Sequence, residues 1–171
     1  MSKKLIGFLL LLILICTGCT FEKDDLVVSD EKIVFKDDVY TVDYFEGVVL
    51  SDLQIVDSRL SFNIRNEGGN DYITGLDRYL EYEVDGEWYQ IKKLEMIDGA
   101  YIETPAIACC IPSGSIYEKG CDLYYFGATK WKDGRYRITV PFSYDAYNLD
   151  NYDNTWMQIP FTVSDGVPAF E

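Results

Sequence analysis

Along the chain, apolar and polar positions follow two patterns. Leu5 to Cys16 is apolar throughout, 12 residues without a charge or strongly polar group. From Glu31 onward the dominant period is two, the mark of half-buried strands. Ile33-Val34-Phe35 is a short apolar run, and Tyr40, Val42 and Tyr44 alternate with Thr41 and Asp43 until Glu46-Gly47 breaks the pattern. Val48–Leu50 and Leu53–Val56 read as extended, with a turn at Asp57-Ser58. Leu60, Phe62 and Ile64 then face one way while Ser61, Asn63 and Arg65 face the other.

Asn66 to Asp71 is a loop, followed by a short Tyr72–Thr74 segment. Tyr79–Val84 and Glu87–Ile91 flank Asp85-Gly86, a dipeptide suited to a tight hairpin because both positions need φ > 0. A helix over Leu76–Val84 competes, but the hairpin dipeptide and the aromatics outweigh it. Residues 92–108 read least clearly: Asp98-Gly99 suggests a turn, and Pro105 limits any strand to an edge. Ile111–Gly114 turns, Ile116–Cys121 is extended, and Asp122–Gly127 is a helical turn or packed loop. Arg135–Val140 follows the Lys132–Gly134 turn, with Tyr136, Ile138 and Val140 inward and Pro141 ending the run. After a polar loop over Ser143–Asn154, Trp156–Val163 points Met157, Ile159, Phe161 and Val163 to one face. Seven to nine short strands at this spacing predict an all-β antiparallel sandwich or barrel.

The apolar run at the start is too short to span a bilayer comfortably, since spanning takes ~18 residues or more. It follows Lys3-Lys4 and precedes small Thr17 and Gly18, the layout of a secretory signal. Cys16-Thr17-Gly18-Cys19 resembles the lipobox of bacterial lipoproteins, with Cys16 where that family usually has Leu. The resemblance implies cleavage after Gly18 and a diacylglyceryl group on the Cys19 thiol. A plain signal peptide and a retained membrane anchor are the alternatives.

The charge then changes the picture. The chain has 15 basic and 29 acidic residues; without Lys3 and Lys4, 13 basic residues remain and the net is −16. Such a surface repels nucleic-acid phosphates and anionic headgroups, so no nucleic-acid partner is expected. There is no histidine. Ser-His-Asp and Cys-His catalysis and His-ligated metal sites are thereby closed. Neither a cofactor nor a metal is expected. Carboxylate chemistry remains open, and Asp24-Asp25 and Asp37-Asp38 are its candidates, although adjacent carboxylates in polar stretches are ordinarily solvated.

Three cysteines follow Cys19, an odd number outside the reducing cytoplasm. Cys121 is expected to pair with Cys110 or Cys109; a Cys109–Cys110 bridge and free thiols stay open. Tyr144–Asn154 has the composition of a binding loop, and Tyr144, Tyr147, Asp150, Tyr152 and Asp153 are its candidate contacts. An ordinary exposed loop and an oxygen-lined calcium site are the competing readings. Trp88 with Tyr89 reads as core packing or a ligand platform, and Arg135 with Arg137 as cross-strand ion pairs or an anion site.

Leu60–Asn66, then Leu80–Tyr89 ending Gly86-Glu87-Trp88-Tyr89, then Asp133–Ile138 with Gly134-Arg135-Tyr136-Arg137, resemble a bacterial immunoglobulin-like domain. The resemblance implies an Ig-like antiparallel β-sandwich and supplies no catalytic residues. The expected organisation is a signal peptide over 1–18, a lipidated tether over 19–30 and an N-terminal extension over 31–47 that could add a strand. The Ig-like domain over 48–165 and a tail over 166–171 complete it. The expected molecule is a monomeric, non-enzymatic binding or accessory module, held at the membrane by its lipid outside the cytoplasm, with an envelope protein or glycan as partner. The alternatives are a proteinase inhibitor, since small β-sandwiches resembling this family include inhibitors, and a carboxylate-dependent enzyme.

Overall fold

The computed structural model describes residues 26, 28–35, 38–97, 100–101, 107–144 and 155–171. Among them thirteen strands form: β1 (Val39–Thr41), β2 (Val48–Val56), β3 (Arg59–Asn66), β4 (Tyr72–Gly75), β5 (Tyr79–Val84), β6 (Glu87–Ile91), β7 (Met96–Ile97), β8 (Ala100–Tyr101), β9 (Ala108–Ile111), β10 (Ile116–Asp122), β11 (Gly134–Tyr144), β12 (Trp156–Ser164) and β13 (Val167–Phe170). The larger sheet runs β1-β12-β11-β4-β9, with β13 beside β12 and the β5–β6 hairpin beside β11. The smaller sheet is β10-β3-β2, and β7–β8 is a separate pair.

The two sheets make a sandwich whose core is built by alternate residues. Leu60, Phe62 and Ile64 of β3 meet Tyr136, Ile138, Val140 and Phe142 of β11 and Met157, Ile159, Phe161 and Val163 of β12. None of these eleven is more than 2% exposed, as the period of two predicts. Burying each side chain of this size contributes ~1.5–3 kcal/mol, so these strands hold a large share of the apolar stabilisation. The smaller sheet is also fastened through a loop: Trp131 donates from Nε1 to the Ser58 carbonyl at 3.0 Å and sets its ring 5.9 Å from Phe161.

β11 continues through Pro141 to Tyr144, where the pattern predicts an end at Pro141. The strand changes partner there. Tyr136–Thr139 pairs with β5 and Phe142–Tyr144 with β4. Pro141 falls in the gap, where its missing N–H leaves no ladder bond unmade. Pro160 of β12 lies in a matching gap, between β1 opposite Trp156–Gln158 and β13 opposite Phe161–Ser164.

Three other expectations change. The Tyr40–Tyr44 alternation is a three-residue strand followed by a 3-10 turn over Val42–Tyr44. β1 joins the larger sheet parallel to β12. The segment read as a C-terminal tail is β13, folded back by Asp165-Gly166 with φ of 50° and 75°, the same device as Asp85-Gly86 at 53° and 82°. The tether docks before its expected end. Val28 bridges Ile91, Ser29 N–H donates to the Gln90 carbonyl at 2.9 Å, and Gln90 N–H donates to Glu31 at 3.0 Å. This segment covers the β6 edge, which would otherwise offer unpaired backbone groups.

Two motif residues have structural reasons. A Cβ at Gly134 (φ 148°) would lie 2.4 Å from the Tyr82 hydroxyl, which donates to the Asp133 carbonyl at 2.8 Å. Asn66, 1% exposed, donates from Nδ2 to the Asn70 and Ile111 carbonyls at 2.7 and 2.9 Å and accepts Gly68 N–H at 3.1 Å. It thus ties the loop after β3 to the end of β9.

Candidate functional site

An aromatic cluster closes one end of the sandwich. The 3-10 turn brings Tyr44 against Tyr40, with ring centroids 3.6 Å apart and planes 7° from parallel. Phe45 beneath them is 1% exposed and meets Phe142 edge-on at 4.8 Å and Tyr72 at 6.1 Å. Tyr72 in turn lies 4.9 Å from Tyr144. Hydroxyls lock the cluster: Tyr72 donates to the Glu46 carbonyl at 2.7 Å and Tyr144 to the Tyr44 carbonyl at 3.3 Å. The buried rings anchor a surface, because Tyr44 and Tyr144 stay 50% and 40% exposed.

The rim of this end is acidic. Asp38, Asp43 and Glu46 are all exposed there. Tyr40 donates to Asp38 at 3.2 Å, and Thr41 donates to Asp43. The neighbouring Tyr44 hydroxyl, then burial and Asp38, push the Tyr40 hydroxyl up to about 12, so it stays a neutral donor. Burial raises the Tyr72 hydroxyl further. Half-exposed rings with carboxylates around them suit a sugar ring, stacked on its C–H face and bonded through its hydroxyls, or a basic peptide. They do not suit an anion.

Tyr144 is the one candidate loop contact among the described residues, and it sits in this cluster at the base of the loop. Tyr147, Asp150, Tyr152 and Asp153 lie outside the described residues, as do Cys19, Asp24, Asp25 and Asp37. In the sequence Tyr40 and Tyr44 read as ordinary strand positions, and Phe45 carries no separate signal. Their Tyr-x-x-x-Tyr-Phe spacing puts two rings one turn apart, and that was the available signal.

The three cysteines are free thiols, and the expected bond from Cys121 to Cys110 or Cys109 is not formed. Cys121 is fully buried opposite Leu60, where desolvation pushes its thiol up to about 11 against the opposing charge of Arg78. Cys109 neighbours the Tyr117 hydroxyl, which burial and then Cys109 push up to about 12. Tyr117 stands four residues before Cys121 on β10, about 13 Å along the strand. A disulfide needs Cα atoms within about 7 Å. Cys110 is exposed on β9.

Trp88 and Tyr89 are both half-buried on the β5–β6 hairpin. The Arg137 guanidinium lies 4.6 Å from the Trp88 ring centroid, and Arg135 lies 5.6 Å away. Both arginines are paired. Arg137 holds Glu81 with two bonds of 2.6 and 2.7 Å, and Arg135 holds Glu171 and Glu83. The cross-strand pairing expected of them is what forms. No group of three or more Cys, Asp or Glu that could hold a metal occurs among the described residues. No helix among them is long and apolar enough to cross a membrane.

No curated protein matches the chain. Among solved structures, red sea bream transglutaminase is similar over 68% of this chain at 10% identity and a TM-score of 0.36, and the chain spans 16% of that protein. The ASH / PapD-like domain of human CEP192 (PapD-like domain 7) is similar over 78% of this chain and 92% of its own length, at 12% identity and a TM-score of 0.31. A family described as Bacterial Ig-like domain matches residues 51–153. That stretch contains β3, the β5–β6 hairpin and β11, the strands that carry the three motifs, and the chain belongs to the bacterial Ig-like domain family.

Proposed function

We propose that the chain is a lipid-anchored, extracytoplasmic Ig-like binding or accessory module of the bacterial cell envelope, without enzymatic activity. The observation that carries this reading is the aromatic end. Rigid, buried rings there hold two exposed tyrosines at the base of a loop rich in Tyr, Asp and Asn. Tyrosine supplies contact area at low entropic cost, so such a surface recognises a partner without changing it chemically. The acidic rim directs the choice toward a glycan or a basic segment of an envelope protein.

The placement rests on Cys19. With a net charge of −16 after cleavage, the domain has no electrostatic reason to stay at an anionic membrane. Two acyl chains supply the affinity, at ~0.8 kcal/mol per buried methylene. Docking starts at Leu26, so residues 19–25 connect lipid to domain, at most ~25 Å of chain.

Fractionation and intact mass test this reading. The native protein is expected in the membrane fraction with its acyl mass, and the Cys19→Ser protein in the soluble fraction without it. A Cys19→Ser protein that keeps both contradicts the anchor. Stoichiometric inhibition across a protease panel would instead assign the loop to an inhibitor.

A further inference from the structure

Between β10 and the link from β4 to β5 lies a cleft of about 310 Å³. Its walls carry Arg59, Arg78 and Lys119, with Tyr117 and Tyr125 beside them. Three cations sharing one concavity stand out in a chain of net charge −14. Glu118 and Asp122 share the lining, and among the cleft's cations Glu118 pairs with Arg59 alone. Asp77 is taken up by Lys93 at 2.7 Å and by the Arg78 backbone N–H at 2.9 Å. Asp122 accepts from Ser58 at 2.9 Å and from Tyr124 N–H at 3.0 Å. Glu118 reaches only Arg59, at 3.4 Å, and both of those side chains are mostly exposed.

The two inner cations lack charged partners among the described residues. Lys119 is 4% exposed, yet it donates to neutral oxygens, the Gly75 carbonyl and Thr74 Oγ1. Burial, then the charge of Arg78, hold its ammonium down to about 8. Arg78 Nε is buried without a hydrogen-bond partner, and the rest of its guanidinium reaches the Leu76 carbonyl through Nη1, at 3.4 Å, and the Cys121 thiol. Buried donors are nearly always paired, so an orphaned guanidinium N–H beside an unneutralised ammonium points to a group that is to come. Gly120 lets Arg59 lie across the strand, since a Cβ there would be 3.0 Å from Arg59 Nη2. The Tyr125 ring, 39% exposed, lies 5.9 Å from the Arg78 guanidinium and adds an apolar face.

We propose that this cleft binds one oxyanion carried on a group of monosaccharide size, a uronate or a sugar phosphate. Arg78 and Lys119 receive the charge, Arg59 closes over it, and Tyr125 faces the ring. The volume is at the small end of ligand sites, which excludes a polymer lying lengthwise. Charge-assisted bonds to guanidinium and ammonium supply the specificity for an anion. The site is separate from the acidic aromatic end and does not depend on its role.

The test is titration of the full domain, read from the Arg78 Nε–H resonance and by calorimetry. The probes are glucuronate, glucose 6-phosphate, inorganic phosphate and uncharged glucose. Saturable shifts at Arg78 with glucuronate or glucose 6-phosphate, and none with glucose, are expected. Arg78→Gln and Lys119→Met should each weaken binding about tenfold or more, while Arg135→Gln, outside the cleft, leaves it unchanged. Arg59→Gln alters an exposed side chain, so it tests the site without threatening the fold and should weaken binding severalfold. Equal affinity for inorganic phosphate would overturn the sugar-sized ligand. No shift at Arg78 with any anion at millimolar concentration, in protein folded by its amide spectrum, would overturn the site.

Discussion

Glu81 is 1% exposed on the outer face of the larger sheet, and two short bonds to Arg137 make that burial tolerable. Glu81→Ala leaves Arg137 uncompensated between β5 and β12. A loss of about 3 kcal/mol is expected by urea denaturation, since breaking a buried pair from one side costs more than the pair contributes. Lys119 gives a pH-dependent prediction. Its pKa is 10.5 unfolded and about 8 folded, so between these values the unfolded chain binds the extra proton and stability rises with pH. Below about pH 8 the folded protein carries the full penalty of a buried ammonium. Relative to Lys119→Met, the native protein is therefore expected to gain up to about 3 kcal/mol between pH 8 and 10.5. A flat difference across that window would contradict the buried charge. The sequence reads Ile116–Cys121 only as extended, with Lys119 in phase with Tyr117 and Cys121. It could not show the Gly75 carbonyl that receives it, which comes from a strand 44 residues away.

At the scale of elements, what was legible was local. The alternation of Leu60, Phe62 and Ile64 and the Asp85-Gly86 turn depend on neighbouring residues alone, and both formed as read. Asp165-Gly166 carries the same turn chemistry, so the return strand β13 is legible there too, in place of the expected tail. The two prolines were not, because their tolerance depends on where β11 and β12 change partners. Pro141→Ala is accordingly expected to shift stability by less than about 1 kcal/mol. Ile138→Pro, at a position paired on both sides, should prevent folding, as seen by loss of dispersed amide resonances. Part of the candidate site was legible for the same reason. Tyr144 belongs to the strand end that carries its loop, whereas Tyr44 reaches it from 100 residues away.

The whole molecule is a sandwich under electrostatic self-repulsion. Its ion pairs are mostly exposed and contribute little. The net charge acts on every residue, so screening it should outweigh screening the pairs. Melting temperature is expected to rise as salt is added from low ionic strength, and a fall would show that the pairs dominate. The proposed recognition surface is the aromatic end. The most direct test is a photo-crosslinking residue placed at Tyr44 in the anchored protein on intact cells, with the same residue at Val84 on the exposed β5–β6 hairpin as control. One defined envelope partner is expected from position 44 and none from position 84, with the yield from position 44 lost when Tyr144 is also changed to Ala. Identical products from both positions, or none from position 44 in correctly anchored protein, would contradict it.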